Sequence, residues 1–236
     1  VKNSEPAGKK PAIKLVIFDC DGTLVDSEPL ACAVLAECAR EQGIDITDED
    51  AHARFKGARM ADCVRELEAM RGAPLPATFI EDTKQRQNVA MVERLQPMEG
   101  ALELLQAMHL PYCMGSNGPR SKMELTLGTT GLLHFFKDNI FSAYEVGSWK
   151  PDPELFLHAA RHYGIAPKHC AVIEDSLPGI LAGVAAGMQV FALREPGVAE
   201  MPDLPEGVTL IDNLYQLHQY LIAPERCTVA PAMVNR

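Results

Sequence analysis

Two carboxylates one residue apart, Asp19 and Asp21, follow an apolar run and precede a glycine in Phe18-Asp19-Cys20-Asp21-Gly22-Thr23-Leu24-Val25-Asp26-Ser27-Glu28. A tight turn that concentrates negative charge in this way is costly without a cation. A hard ion such as Mg²⁺ prefers oxygen ligands, so Asp19 with the backbone carbonyl or side chain of Asp21 would suit it. Asp-Gly is also a common turn in which aspartates only bond their own backbone. Taken alone, the Asp-x-Asp pattern leaves both readings open.

Three other segments bear on the choice. In Met114-Gly115-Ser116-Asn117-Gly118-Pro119 the Ser116 hydroxyl and the amides after it, including that of Asn117, could face an anion at the start of a helix. The same stretch is equally an ordinary strand-to-helix turn. In Trp149-Lys150-Pro151-Asp152-Pro153, Pro151 biases Lys150 towards extended backbone, which makes it a fixed cation before a helix or simply a solvated lysine. Val172-Ile173-Glu174-Asp175-Ser176 adds two acids, Glu174 and Asp175, a pair that the first turn of a helix would also favour.

The elements that carry these residues decide how to weigh them. Short apolar, β-branched runs recur at 13–18, 111–115, 139–142, 170–173 and 188–193, with a further candidate at 208–211, and helical stretches lie between them. That alternation predicts βαβ units, hence an α/β fold with a Rossmann-like, doubly wound parallel sheet. Ligands bind beyond the carboxyl ends of such strands. Asp19, Ser116 and Glu174 each stand where a run ends, and with the Lys150 segment four separate coincidences gather at one sheet edge. From about Glu28 to Gln96 the pattern is helical without a convincing strand: 29–42 stopped by Gly43, a capping box at Thr47 and Asp50, 59–71 ending at Gly72, and 77–96 ending before Pro97. The expected organisation is a core of 12–27 and 97–222 with a small all-helical cap domain, 28–96, over the strand tips. Helices at 101–109 and 153–163 should cover the sheet, Phe156, Ala159, Ala160 and Tyr163 facing the core. Residues 1–11 and 224–236 lack periodicity and read as loose tails.

Bulk properties exclude partners without naming one. A chain of 236 residues with 47% hydrophobic content can build such a core. Its formal net charge of −10 disfavours nucleic acid and anionic membranes as partners. Seven cysteines without C-x-x-C spacing read as reduced and packed, as in a cytoplasmic protein. No apolar stretch reaches the ~20 residues that a membrane span requires. The histidines show no ligand clustering, and none is assigned to catalysis.

In this order and on these elements, FDCDGT, SNG, KPDP and EDS resemble the four motifs of the haloacid dehalogenase superfamily, in the subfamily whose helical cap follows the first strand. The resemblance covers about residues 12–222. It implies a phosphatase with Mg²⁺ as its only cofactor. Asp19 would attack phosphorus and form an aspartyl-phosphate. Asp21 would protonate the leaving alkoxide and then activate water. Asp175 would be a further metal ligand, with Glu174 binding directly or through water, while Ser116, the Asn117 amide and Lys150 grip the phosphate oxygens. The family places a specificity loop at Lys56-Gly57 and Arg59; both cations are equally readable as solvated surface. FDCDGTLVDSE, RFKG, SNGP, WKPDP and AGMQVF are further similar to the 6-phosphogluconate phosphatase branch, often labelled β-phosphoglucomutase-like. The expected substrate is a small phosphate ester such as 6-phosphogluconate, the expected state a monomer or small homo-oligomer.

Three alternatives stand beside this reading. A β-phosphoglucomutase would carry a histidine and an arginine where this chain has Ala31 and Met60, although Arg59 is one step away. A haloacid dehalogenase would have an uncharged residue in place of Asp21. A non-catalytic binding protein has no reason to fill every catalytic position.

Overall fold

The computed structural model describes residues 11–56, 58–194 and 203–222. Six parallel strands form one sheet in the order β3-β2-β1-β4-β5-β6: β1 Leu15–Phe18, β2 Tyr112–Ser116, β3 Ile140–Ser142, β4 Cys170–Glu174, β5 Gln189–Leu193 and β6 Thr209–Ile211. All six expected runs are strands, the weak one at 208–211 included. Two strands run one residue further than expected, so Ser116 and Glu174 are the last residues of β2 and β4 rather than the first beyond them.

Both faces of the sheet are covered, which is why its strands read as continuous apolar runs rather than alternating ones. Val16 and Phe18 pack on one face with Met114, Ile173 and Phe191. Leu15 and Ile17 pack on the other with Cys113, Val172 and Val190, the period-2 alternation of a pleated strand. Helices α5 (Ala101–Ala107), α6 (Arg120–Thr129) and α7 (Leu133–Phe136) contribute to the first layer. After the short α8 (Ala143–Val146), α9 (Glu154–His162) and α10 (Leu177–Ala185) contribute to the second. In α9, Phe156, Ala159 and Ala160 are buried, and Tyr163 just beyond it donates its hydroxyl to the Tyr112 carbonyl at 3.2 Å. A last short helix, α11 (His218–Leu221), adds Leu221 to the first layer.

Between β1 and β2 lie α1 (Ser27–Glu41), α2 (Asp48–Phe55), α3 (Met60–Arg71) and α4 (Phe79–Arg94), with no strand among the described residues of that interval. They share a hydrophobic cluster of their own, with Leu35, Phe55, Leu67 and Phe79 in it. Thr47 caps α2 by accepting from the Asp50 amide at 3.0 Å, and Gly72 ends α3 in the left-handed region at φ 73°. The chain leaves and re-enters the sheet layer side by side: Met98 N donates to Leu24 O at 2.9 Å, and Asp26 N to Gln96 O at 3.0 Å.

The six described cysteines, Cys20, Cys32, Cys38, Cys63, Cys113 and Cys170, are buried free thiols, and Cys227 lies outside the described residues. So do both expected tails, apart from Pro11, whose carbonyl accepts from Gln189 Nε2 at 2.7 Å. No described helix is long and apolar enough to cross a membrane.

Phe156 is fully buried beneath Gly115, where its ring lies 3.3 Å from the place a Cβ would take, and the Lys150 ammonium stands 5.0 Å from its centroid. Phe156→Ala should therefore destabilise the protein by about 3–5 kcal/mol, read from the midpoint of urea unfolding. A loss below ~1 kcal/mol would show that this ring does not support the sheet tips.

Candidate active site

Register places the chemistry. Phe18 pairs with both Met114 and Ile173, so β1, β2 and β4 end nearly level and deliver Asp19, Ser116 and Glu174 to one edge. Asp19 N still donates to Ile173 O at 3.0 Å, which fixes its backbone as a continuation of the sheet. The chain then turns back on itself through Leu24 N to Cys20 O at 2.9 Å and Gly22 N to Val25 O at 2.8 Å. Gly22 takes φ +78°, and a Cβ there would fall 2.2 Å from Asp175 Oδ2, so only glycine lets the Asp175 carboxylate approach the turn.

Lys150 is the centre of the arrangement. Its Nζ lies 2.5 Å from Asp19 Oδ1 and 2.6 Å from Glu174 Oε1, and the residue is only 7% exposed. Burial alone would lower its pKa, but the two carboxylates outweigh burial and hold it above the usual lysine range. Its backbone is held as firmly: Lys150 N donates to Asn117 Oδ1 at 2.8 Å, and Asn117 Nδ2 donates to Lys150 O at 3.4 Å. The Asn117 side chain is thus committed to placing the lysine. The Lys150–Pro151 peptide is cis.

Glu174 is fully buried and fully engaged, Oε1 by Lys150 and Oε2 by the Ser176 amide at 2.9 Å and hydroxyl at 2.8 Å. Asp175 accepts from Thr23 Oγ1 at 3.0 Å. Burial first, and Glu174 second, push the Asp175 carboxyl up to about 7. Asp19 is likewise raised by burial, which wins over the attraction of Lys150 with help from Glu174 and Asp175. Asp19, Glu174 and Asp175 each offer an oxygen within 4.8 Å of the others. Three carboxylates against the buried Lys150 and the partly exposed Lys56 leave an excess of negative charge, and an all-oxygen donor set at that spacing fits a hard divalent cation.

Asp21 differs from its neighbours. Ser27 Oγ donates to its Oδ1 at 2.7 Å, and Lys122 Nζ lies 2.8 Å from its Oδ2. Burial pushes this carboxyl up, but Lys122 and Ser27 outweigh it and hold Asp21 below the ordinary range. Lys122 was not singled out from sequence; its signal was a cation in the first turn of a helix, where the macrodipole disfavours one.

The two loop cations separate. Lys56 lies 3.9 Å from Asp175 Oδ2 and lines a cavity of about 270 Å³ with Gly22, Glu28, His52 and Met98. The Arg59 side chain is 85% exposed and pairs with Asp62 at 2.8 Å, three residues along its own helix start. The structure therefore does not bring Arg59 to the site. Ser116 is buried, and its Oγ accepts from the Gly118 amide at 3.2 Å.

Strand-tip acids, an anchored lysine and a helical insertion after β1 define a class, and comparison with known proteins agrees. The model of the hydrolase family described as haloacid dehalogenase-like hydrolase matches residues 13–187, and the chain belongs to that family. It is 37% identical over 180 residues, 76% of this chain and 81% of the relative, to the 6-phosphogluconate phosphatase of Escherichia coli (strain K12). It is 30% identical over 210 residues, 85% of this chain and 91% of the relative, to hexitol phosphatase A of the same organism. A crystal structure of a haloacid dehalogenase family hydrolase from Deinococcus radiodurans R1, with bound phosphate and sodium, superposes with a TM-score of 0.78 at 31% identity, covering 90% of this chain and 98% of that one. The protein is a phosphatase of this family.

Asp175 supplies a pH test. Its folded pKa, about 7, lies above the unfolded 3.8, so the folded state binds that proton more tightly. The associated stability is present below the unfolded value and is lost as pH rises towards 7. Added Mg²⁺ should raise Tm, and the rise should grow between about pH 5 and about pH 7.5 as the cation replaces the proton. A rise that is the same at both ends would contradict it, and Asp175→Asn should flatten it.

Proposed function

We propose that the protein is a Mg²⁺-dependent phosphomonoesterase that works through an aspartyl-phosphate on Asp19. The observation that carries this reading is the pair formed by Asp19 and Lys150 at the sheet edge, with Asp175 beside it and Asp21 two residues on. Asp19 attacks phosphorus in line, and the ester oxygen leaves. Asp21 protonates that oxygen as it departs, then takes a proton from the water that cleaves the acyl phosphate. Lys150 balances charge on the phosphate oxygens, with the Ser116 hydroxyl and the Asn117 backbone amide as further donors. A bound Mg²⁺ would supply electrostatic screening between nucleophile and phosphate, held by Asp19, Asp175 and the backbone carbonyl of Asp21, whose side chain is engaged by Ser27 and Lys122. Glu174, with both oxygens engaged, acts there through Lys150 or through water.

We assign 28–96 as a cap domain over a core of 12–27 and 97–222. The proposed substrate is a small phosphosugar or sugar-acid phosphate. A cavity of about 270 Å³ beside Asp175 is smaller than the roughly 300–1,000 Å³ of pockets for drug-sized ligands. Escherichia coli relatives named for 6-phosphogluconate and hexitol phosphates support that class. Lys56 offers the cation for a sugar-acid carboxylate. The mutase reading loses ground, because Arg59 turns to Asp62 and does not stand in for the arginine missing at Met60. Buried free thiols suit the reducing cytoplasm.

Inorganic phosphate release with Mg²⁺, measured over a panel of phosphosugars and nucleotides, tests the activity, and Asp19→Asn should abolish it with Tm kept. Near wild-type turnover in that variant would overturn the mechanism. Faster conversion of β-glucose 1-phosphate to glucose 6-phosphate than phosphate release would overturn the hydrolase assignment. Lys56→Ala should raise KM for 6-phosphogluconate more than for a neutral hexose phosphate, by the roughly 1.5–3 kcal/mol of one charge-assisted hydrogen bond. Arg59→Ala should leave both unchanged.

A further inference from the structure

We propose that Lys122 is a positioning residue that fixes the Asp21 carboxylate for both proton transfers; the inference rests on the reading of Asp21 as the acid and base of the reaction. Asp21 is held at both ends, Oδ1 by the buried Ser27 hydroxyl at 2.7 Å and Oδ2 by Lys122 Nζ at 2.8 Å. A carboxylate bonded on both oxygens has a defined plane, whereas one bonded on a single oxygen turns about that bond. Proton transfer to a leaving oxygen depends steeply on that plane, since a misplacement of ~1 Å costs about a hundredfold.

The surroundings place the lysine on purpose-built footing. Lys122 is the third residue of α6, and Thr126 one turn later is fully buried against Cys20, its Oγ1 3.7 Å from the thiol. The helix therefore docks on the same turn that carries Asp21, and both contacts come from one helical face. The Lys122 side chain is 41% exposed, yet its partner Asp21 is 17% exposed. An ordinary solvated pair would leave both heads in water and contribute little. A cation in the first turn also opposes the dipole of α6, so this lysine does not serve its helix. The acid it meets does the chemistry, and Glu28 on α1 lies near enough to act on the same ammonium.

The two transfers need only water beside the ester, because the proton that Asp21 gives up in the first is the one it takes from water in the second. In the first transfer the ester P–O bond breaks as Asp19 Oδ bonds phosphorus, and the Asp21 proton goes to the departing alkoxide. In the second, water attacks the acyl phosphate, its proton goes to Asp21, and Asp19 leaves as carboxylate. Poor placement of Asp21 slows the first step only for poor leaving groups, but slows the second for every substrate.

Rapid-quench kinetics with p-nitrophenyl phosphate and a phosphosugar, in Mg²⁺, separate these steps. Wild-type turnover that Asp19→Asn abolishes establishes the underlying reading first, so its failure is seen independently of Lys122. Lys122→Met should lower kcat on the phosphosugar by about a hundredfold. With p-nitrophenyl phosphate it should produce a burst of p-nitrophenol, as the phosphorylated enzyme accumulates. Lys122→Arg should restore most of kcat and remove the burst. Lys122→Gln provides a second neutral variant if Lys122→Met melts early. Turnover within ~3-fold of wild type in the neutral variants, or equal losses in both steps without a burst, would overturn the proposal.

Discussion

A buried lysine between two buried carboxylates constrains most of what surrounds it. Removing three charges from water costs several kcal/mol per ion, and the attraction among them repays this only with close geometry and every remaining polar atom bonded. The structure meets that condition from several directions. Lys150 reaches Asp19, the first residue beyond β1, and Glu174, the last of β4, adjacent strands whose pairing brings the acids level. Asn117 just beyond β2 grips the lysine's backbone, and the Phe156 ring of α9 faces its ammonium at 5.0 Å. A shift of one strand by one residue would turn one of these groups to the opposite face and leave a charge buried alone. The sheet register and the site are therefore one requirement.

That requirement also explains the chain's tolerance of poor helix formers near the site. In α10, Gly179 lies under Glu174, where a Cβ would stand 1.7 Å from Oε1, and a Cβ at Gly183 would stand 2.8 Å from the Val190 side chain. Glycine costs roughly 1 kcal/mol in a helix relative to alanine. Here it lets the helix pack directly beneath the acid and against β5, contacts that a side chain would prevent.

The sheet was legible in the sequence because β1 to β5 are buried on both faces and so stand out as apolar runs, whereas the edge strand β6, with Leu210 exposed, gave the weakest signal. The acids were legible because they sit at the strand ends, and Lys150 because Pro151 and Pro153 mark it in the loop before α9. Helix α10 was not individually legible: Leu-Pro-Gly-Ile-Leu-Ala-Gly-Val-Ala has neither a polar face nor a helical propensity to mark it, since its glycines answer to tertiary contacts. Lys122 was missed for a related reason. Its partner lies 101 residues away, and nothing in SNGPRSK says which carboxylate a helical lysine will meet. Asn117 was read through its backbone amide, while its side chain serves the lysine, a pairing across 33 residues.

Strand ends and inserted helices place their side chains differently. Asp19, Ser116 and Glu174 are tied to strand ends, where backbone hydrogen bonds to the neighbouring strands leave little freedom. Lys56 and Arg59 sit instead at the ends of helices after β1, which have their own hydrophobic cluster. Two backbone pairings, Met98 with Leu24 and Asp26 with Gln96, connect the two layers beside the site. Lys56 and Arg59 show the consequence: three residues apart in sequence, one reaches Asp175 and the other turns to Asp62. Local charge cannot distinguish them, because the outcome depends on how the turn leaves α2. The register of the sheet fixes Asp19 and Glu174, whereas the reach of Lys56, and not of Arg59, to Asp175 is fixed by tertiary structure alone.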